Sequence, residues 1–327
     1  MQNLLVTGGS GFIGSAFIRS TLRSSDFHGK IVNLDALTYA ADPKNLEGFL
    51  EHPRYQFVQG DINNLFLVDQ LCTQYEIDAI VHFAAETHVD RSILSALPFL
   101  EANVKGTMQL LEVVRRHPHI HFHHVSTDEV YGALGAEGHF DENSPYRPNS
   151  PYSASKAASD HFVRAYIQTH KIKATISHCS NNYGPFQHPE KFIPLMISRS
   201  LAREPLPIYG KGTNVRDWLY VDDHVDAIWA ILKKGKPGET YDIGGDAELS
   251  NMQMLHLLIE QLAEQTDENP LHYHSLIRYV ADRPGHDFRY AIDHTKITRE
   301  LGWTPKTALR QGLKKTIKSY LAFAAKG

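Results

Sequence analysis

The sequence predicts a doubly wound α/β fold, built on a parallel sheet and joined to a smaller α/β unit. Three observations carry that expectation. Short apolar, β-branched runs alternate with longer segments of helical spacing, the first run ends in a glycine-rich loop that opens a helix, and the pattern changes after residue 183. Continuous apolar runs are what strands covered by helices on both faces require. A glycine loop between a first strand and a first helix is the dinucleotide-binding turn of a Rossmann sheet.

The strand-like runs are, in order, NLLVTG, KIVNLD, YQFVQGDI, AIVHFAA, HFHHVST and KATISHCS. Between them GFIGSAFIRSTLRS, LFLVDQLCTQY, VKGTMQLLEVVRR and SASKAASDHFVRAYIQTH carry apolar residues at helical spacing. After NNYGPFQHPEKFIP proline and aromatic residues become more frequent and the elements shorter, with strand-like pieces at LPIYG, NVRDWLYV and TYDIGG and a final amphipathic stretch, ALRQGLKKTIKSYLAFA. Residues 1–183, rejoined by roughly 216–247, are expected to form the dinucleotide-binding domain, and 184–215 with 248–327 a smaller substrate-binding domain.

Lys and Arg number 33 against 37 Asp and Glu, a net charge of −4, so no basic surface for nucleic acid or anionic membrane is expected. No apolar run is long enough to span a bilayer. The glycine loop begins within seven residues of the first, which leaves no room for an export leader. Cys72 and Cys179 form no CxxC and are expected to be reduced, buried thiols. Together these features predict a cytoplasmic protein.

The loop Thr7-Gly8-Gly9-Ser10-Gly11-Phe12-Ile13-Gly14 follows the first strand and opens a helix. Gly8, Gly11 and Gly14 suit a tight turn, a close approach to a pyrophosphate and close helix–strand packing, while the helix N-terminus offers free N–H groups to phosphate. Asp35 ends the second strand, 21 residues after Gly14, followed by Ala36, Leu37 and Thr38. A carboxylate there accepts ribose hydroxyls and repels a 2′-phosphate, so the expected cofactor is NAD rather than NADP.

Tyr152 and Lys156 stand four apart at the head of a helix and so share one face. An ammonium near a phenol favours phenolate and would make Tyr152 a base; a chance helical pair is the plainer reading of YxxxK taken alone. Thr127, Asp128 and Glu129 follow a buried strand, on the edge of the sheet where ligands bind. Two carboxylates at such a place are costly without a role. Extended backbone would point them apart, toward two different atoms of one substrate.

The GxxGxxG spacing of TGGSGFIG resembles the extended short-chain dehydrogenase/reductase family, and STDEVYG resembles, within it, the dTDP-glucose 4,6-dehydratases. DALTYA, FAAETHVDRS, NSPYSASKAASDH, CSNNYGP, PEKFIPLMI, VRDWLYVDDH, GETYDIGG and DRPGHDFRYAID resemble that family in its order, over essentially the whole chain. The resemblance implies that Asp61, Ile62, Phe83, Ala84, Ala85, Thr87 and Asn182 contact NAD. It implies that Thr87, Asn181, Lys191, Phe192, Pro207, Ile208, Tyr209, Arg216, Asn251, Asp282, Arg283, Pro284, Gly285 and His286 hold a sugar nucleotide. It also implies a homodimer through the YxxxK helix and a redox-neutral reaction: oxidation at C4 with Tyr152 as base, elimination of water across C5 and C6 by Glu129 and Asp128, and hydride return to C6. A UDP-sugar dehydratase, a 4-epimerase lacking use for two carboxylates, and a non-catalytic NAD-binding protein are the alternatives.

Ala102 stands where that family usually carries Thr, Asp42-Pro43 replaces Gly-Asn, and Phe288 follows the RPGHD motif. His119, His121 and His123 alternate along an expected strand, but no added carboxylate or Cys spacing accompanies them, and no metal site is expected.

Overall fold

The computed structural model describes residues 2–324, so the last three residues of the 248–327 segment lie outside the described residues. Its strands are β1 (Leu4–Thr7), β2 (Ile31–Asp35), β3 (Tyr55–Gln59), β4 (Ala79–His82), β5 (His121–Thr127), β6 (Lys173–Cys179), β7 (Asn181–Tyr183), β8 (Leu206–Tyr209), β9 (Val215–Tyr220), β10 (Thr240–Ile243), β11 (Glu248–Ser250) and β12 (Ile277–Val280). Seven of them form one sheet in the order β3-β2-β1-β4-β5-β6-β10. Every pairing in it is parallel, which confirms the Rossmann architecture. TYDIGG, carried by β10, adds the outer strand beyond β6.

Each strand of that sheet is apolar along its length because helices cover both faces. On one face Leu5, Val32, Ile80 and Phe122 meet Leu71, Leu110, Val114 and Val163 from the helices Leu65–Gln74, Thr107–Arg116 and Pro151–His170. On the other, Leu4, Val6, Ile31 and Val81 meet Phe17, Ile18, Val225 and Ile228 from the helices Phe12–Arg23 and Val221–Lys234. Burying one such side chain is worth about 1.5–3 kcal/mol, so the two faces together hold the sheet rigid beneath its loops. The strand order reverses direction between β1 and β4, and the crevice of an open α/β sheet lies at that point.

A second core gathers Ile193, Met196, Ile208, Trp218, Leu255, Leu258 and Leu313. The three-stranded sheet β11-β9-β7 and the parallel pair β12-β8 belong to this side. NVRDWLYV therefore pairs as β9 with β7 and β11, outside the seven-stranded sheet, while the helix that follows it crosses back onto the first core.

Three local expectations are corrected. β5 begins at His121, so His119 precedes the strand and packs edge-on against His117; His121 and His123 both reach the hydroxyl of Thr175. Asp128–Tyr131 is a turn of 3₁₀ helix instead of extended backbone, because the Thr127 hydroxyl accepts the Glu129 N–H and closes it. The helix expected from Val104 is α-helical only from Thr107, its first residues belonging to a π-helical segment, Leu100–Gly106, an irregularity often found beside functional sites.

Among the described residues no helix is long and apolar enough to cross a membrane.

Candidate active site

A cleft of about 470 Å³ opens where the ends of β1 and β4 diverge. Its inner wall is the glycine loop. A Cβ on Gly14 would fall 2.3 Å from the Gly8 carbonyl oxygen, and one on Gly8 would fall 2.6 Å from the Ala84 nitrogen, so both positions exclude larger residues. Gly11 precedes the helix Phe12–Arg23 without any side-chain cap, which leaves the first-turn N–H groups available to an anion. Asp35 is buried at the end of β2, where its Oδ2 accepts the Ser10 N–H at 2.9 Å and its Oδ1 the Leu37 N–H at 2.8 Å. Burial raises its pKa, and these two hydrogen bonds oppose the rise.

Phe12, Ile13, Ala36, Thr38, Asp61, Ile62, Phe83, Ala84, Ala85, Thr87 and Asn182 all border the same cleft; of the residues expected to touch the cofactor, Leu37 alone does not. The loop glycines, the uncapped helix start and the remaining lone pairs of Asp35 fit a dinucleotide: backbone for the pyrophosphate, carboxylate for the adenosine ribose. A hydrogen-bonded chain braces the floor. Thr7 Oγ1 meets His82 Nδ1 at 2.7 Å, His82 Nε2 meets Thr107 Oγ1 at 3.1 Å, and Thr107 donates to the Asn103 carbonyl at 2.6 Å. The Asn103 side chain then pairs with the backbone of Glu86, at 2.9 and 3.0 Å, and donates to Ser155 at 2.8 Å.

Thr127, Asp128, Glu129, Tyr152 and Lys156 line the far end of the cleft together. The 3₁₀ turn presents Asp128 and Glu129 in different directions, and their surroundings differ. Asp128 is buried, its Oδ2 has no hydrogen-bond partner, and burial with the charge of Glu129 pushes its pKa well above the carboxylate range. Burial also raises Glu129, but Arg216, Lys191 and Arg283 pull it back toward the ionised form. One carboxyl is thus held as acid beside another held more nearly as base.

The Tyr152–Lys156 pair differs from expectation. Lys156 donates to the Val125 carbonyl at 2.9 Å, and burial together with Glu129 raises the Tyr152 phenol well above its ordinary value. Against these, Thr127 is a neighbour that favours the phenolate; its hydroxyl oxygen lies 3.3 Å from Asp128 Oδ1.

Of the residues expected at the sugar nucleotide, Thr87, Asn181 and Lys191 border the cleft, and Lys191 donates to the Thr87 carbonyl at 2.9 Å. Tyr209, Asp282, Arg283 and His286 form a separate cluster: Arg283 lies 5.3 Å from the Tyr209 ring, and His286 Nδ1 lies 2.7 Å from Asp282 Oδ1. Pro284 and Gly285 continue this exposed loop. Arg216 is no free surface charge. It stacks 4.4 Å over Tyr290 and donates to the Val215 and Asp287 carbonyls. Ile208 is buried in the second core, and Phe192 packs toward Trp218, so neither offers its side chain to the cleft. Pro207 and Asn251 are half-buried away from it.

Two groupings of charges, of which Glu190 alone lines the cleft, were not legible beforehand. Asp90 pairs with Arg283 at 2.6 Å and accepts from Tyr209 at 3.3 Å. Glu190 accepts from Tyr39 at 3.1 Å and lies 3.7 Å from both His88 and Arg91, while Arg91 stacks 3.6 Å over Tyr39. These partners are distant in sequence, and no spacing pattern marks them. Glu86, Glu101, Cys179 and Ser180 also line the cleft without having been singled out for it, and so does Ala102, which stands where the family usually carries Thr. Asp42 has a local explanation: its side chain accepts the Lys44 N–H at 2.9 Å and caps a 3₁₀ helix that starts at Pro43.

The family model described as GDP-mannose 4,6 dehydratase matches residues 5–316. A dTDP-glucose 4,6-dehydratase of Haemophilus influenzae is 48% identical, over 98% of this chain and 98% of its own. Two solved structures are similar throughout. The dTDP-glucose 4,6-dehydratase of Streptomyces venezuelae, with NAD bound, superposes with a TM-score of 0.92 at 44% identity, over 99% of this chain and 98% of that one. That of Bacillus anthracis, in complex with NAD, gives 0.89 at 44% identity, over 98% and 97%.

Proposed function

The chain belongs to the nucleotide-sugar dehydratase family described as GDP-mannose 4,6 dehydratase, and from that premise we propose that it removes water from dTDP-glucose to give dTDP-4-keto-6-deoxyglucose, as an NAD-dependent lyase. The observation that carries the reading is the unequal setting of Asp128 and Glu129, one a buried carboxyl with a partnerless oxygen and the other drawn toward ionisation by three cations. An epimerase has no step that needs such a pair, and a binding module needs neither.

Bound NAD would supply the acceptor for the C4 hydride and the donor that returns it to C6. Gly8, Gly11, Gly14 and the first turn from Phe12 would hold its pyrophosphate, and Asp35 its ribose. Tyr152 takes the proton of the C4 hydroxyl. The 4-ketone acidifies C5, whose proton Glu129 removes; the C5–H electrons form the C5=C6 bond. Asp128 protonates the C6 hydroxyl, the C6–O bond breaks, and water leaves. Lys191 and Arg216 suit the diphosphate by charge, and Arg283 by its forked guanidinium.

The division of labour we propose is 1–183 with roughly 216–247 for NAD and 184–215 with 248–327 for the sugar nucleotide, with β7 and β9 packing into the second core at the boundary. A cytoplasmic homodimer completes the proposal. Its support is the exposure of Leu94, Leu97 and Leu100, on segments that pack against the YxxxK helix, and of Phe162 on that helix, together with the two buried free thiols.

Product analysis with dTDP-glucose and UDP-glucose side by side, without added cofactor, tests the reading. A 4-keto-6-deoxy product from dTDP-glucose is expected. A C4 epimer, or no product from either sugar nucleotide, would contradict it.

A further inference from the structure

Behind the catalytic strand lies a polar cluster that none of the steps above uses. Asp160 sits one turn beyond Lys156 on the helix Pro151–His170 and is fully buried. Its Oδ1 lies 3.1 Å from His124 Nε2, and its Oδ2 lies 3.1 Å from His178 Nε2. The same Oδ2 accepts from Ser126 at 2.9 Å and from Tyr146 at 3.1 Å. The other ring nitrogen of His178 lies 2.9 Å from Asp242 on β10, whose carboxylate also accepts from Tyr131 at 3.0 Å.

We infer that Asp160, locked by His178 and Asp242, is a positioning residue that keeps Lys156 charged and so governs the ionisation of the Tyr152 pair. The inference rests on Tyr152 and Lys156 being the acid–base pair proposed above.

Charge balance supports it. His178 is in contact with both Asp160 and Asp242, and the buried Lys156 lies one helical turn from Asp160, so two cations offset two anions where an unbalanced buried ion would be severely destabilising. Burial opposes the charge on His178, but the flanking carboxylates outweigh it and raise its pKa to about 9. His124 is the neutral member, lowered to about 4 by burial and by Lys156. Burial opposes ionisation of Asp160 too, yet the two histidines hold it well below the carboxylate range. Lys156 is pushed down by burial, and Asp160 is the first of the groups that push it back up. The other titratable neighbours are Cys179 and His82 near Lys156, the Tyr131 and Tyr146 hydroxyls on His178, and Glu142, which accepts the Asp242 N–H at 3.0 Å.

A purely structural role would tie β5, β6, β10 and the helix together with no consequence for proton affinity. The two roles separate in the pH profile of turnover. In Asp160→Asn the shape is kept and the charge removed, so Lys156 should lose its proton earlier. The alkaline limb of kcat should move to lower pH by roughly one unit or more, the size expected for a close opposite charge, with KM for dTDP-glucose unchanged. Ser126→Ala removes one hydrogen bond and no charge, and should leave the limb in place. His178→Gln leaves Asp160 unopposed and should move the limb to higher pH, so the account stays testable if Asp160→Asn fails to fold. Loss of kcat by the same factor at every pH in both charge variants, or an equal shift in Ser126→Ala, would overturn the inference. Imidazole ¹⁵N NMR is independent of turnover: His178 should be protonated at pH 8 in the unaltered protein, and a neutral ring there would also overturn it, whether or not dTDP-glucose is the substrate.

Discussion

Asp128 and Glu129 are adjacent in the chain, but the 3₁₀ turn that begins at Asp128 gives one a partnerless, buried oxygen and the other an electrostatic pull from Arg216 and Lys191. Elimination needs an acid and a base on one substrate, and the turn separates the two roles by environment. In Glu129→Gln the C5 base is gone while Tyr152 and Lys156 remain. Reduced-nicotinamide absorbance should therefore build up on adding dTDP-glucose and persist, with C5 no longer exchanging with deuterated solvent. Absence of that absorbance would assign Glu129 to the first step instead.

Tyr152→Phe removes the hydroxyl and keeps the ring that packs edge-on against Phe99. Oxidation should fall by about 10²–10⁴-fold, the usual loss for one general base, with thermal stability nearly unchanged. Single-turnover absorbance measures it, and a near-normal rate would mean that another group takes the C4 hydroxyl proton.

Asp35 spends one lone pair on each of two backbone N–H groups and keeps the rest for a ribose. Protein stripped of cofactor should regain activity with NAD and little with NADP, because a 2′-phosphate would meet the carboxylate. Replacement by Ser should narrow the difference. Equal reactivation of the unaltered protein by both would count against the assignment.

The buried imidazolium of His178 carries a stability signature. Its pKa in the folded protein, about 9, lies above the 6.5 of an ordinary His, so the stabilisation is fully present below pH 6.5 and is lost as pH rises through 9. The urea midpoint should fall over that window in the unaltered protein more than in His178→Gln. Parallel curves would show that His178 is not charged in the fold.

Much of this arrangement was readable beforehand because it depends on neighbours in sequence. The glycine loop, Asp35 at a strand end and the Tyr152–Lys156 spacing are local patterns with fixed geometric meaning, and six strands of the main sheet announce themselves as apolar runs. The bond from Lys156 to the Val125 carbonyl and the pairing of Arg283 with Asp90 bring together residues 31 and 193 positions apart. No periodicity encodes such contacts. The 3₁₀ turn at Asp128 was missed for a different reason: its signal is one hydroxyl, that of Thr127, competing for a backbone N–H, and a Ser-Thr pair ending a β-branched run is equally compatible with a continuing strand.

The most direct test of the central claim uses dTDP-glucose deuterated at C4. A dehydratase that lends and returns hydride within one closed cleft should deliver the label to C6 of the same molecule, with no crossover when labelled and unlabelled substrates are mixed. Deuterium released to solvent, or found on free reduced cofactor, would contradict the account.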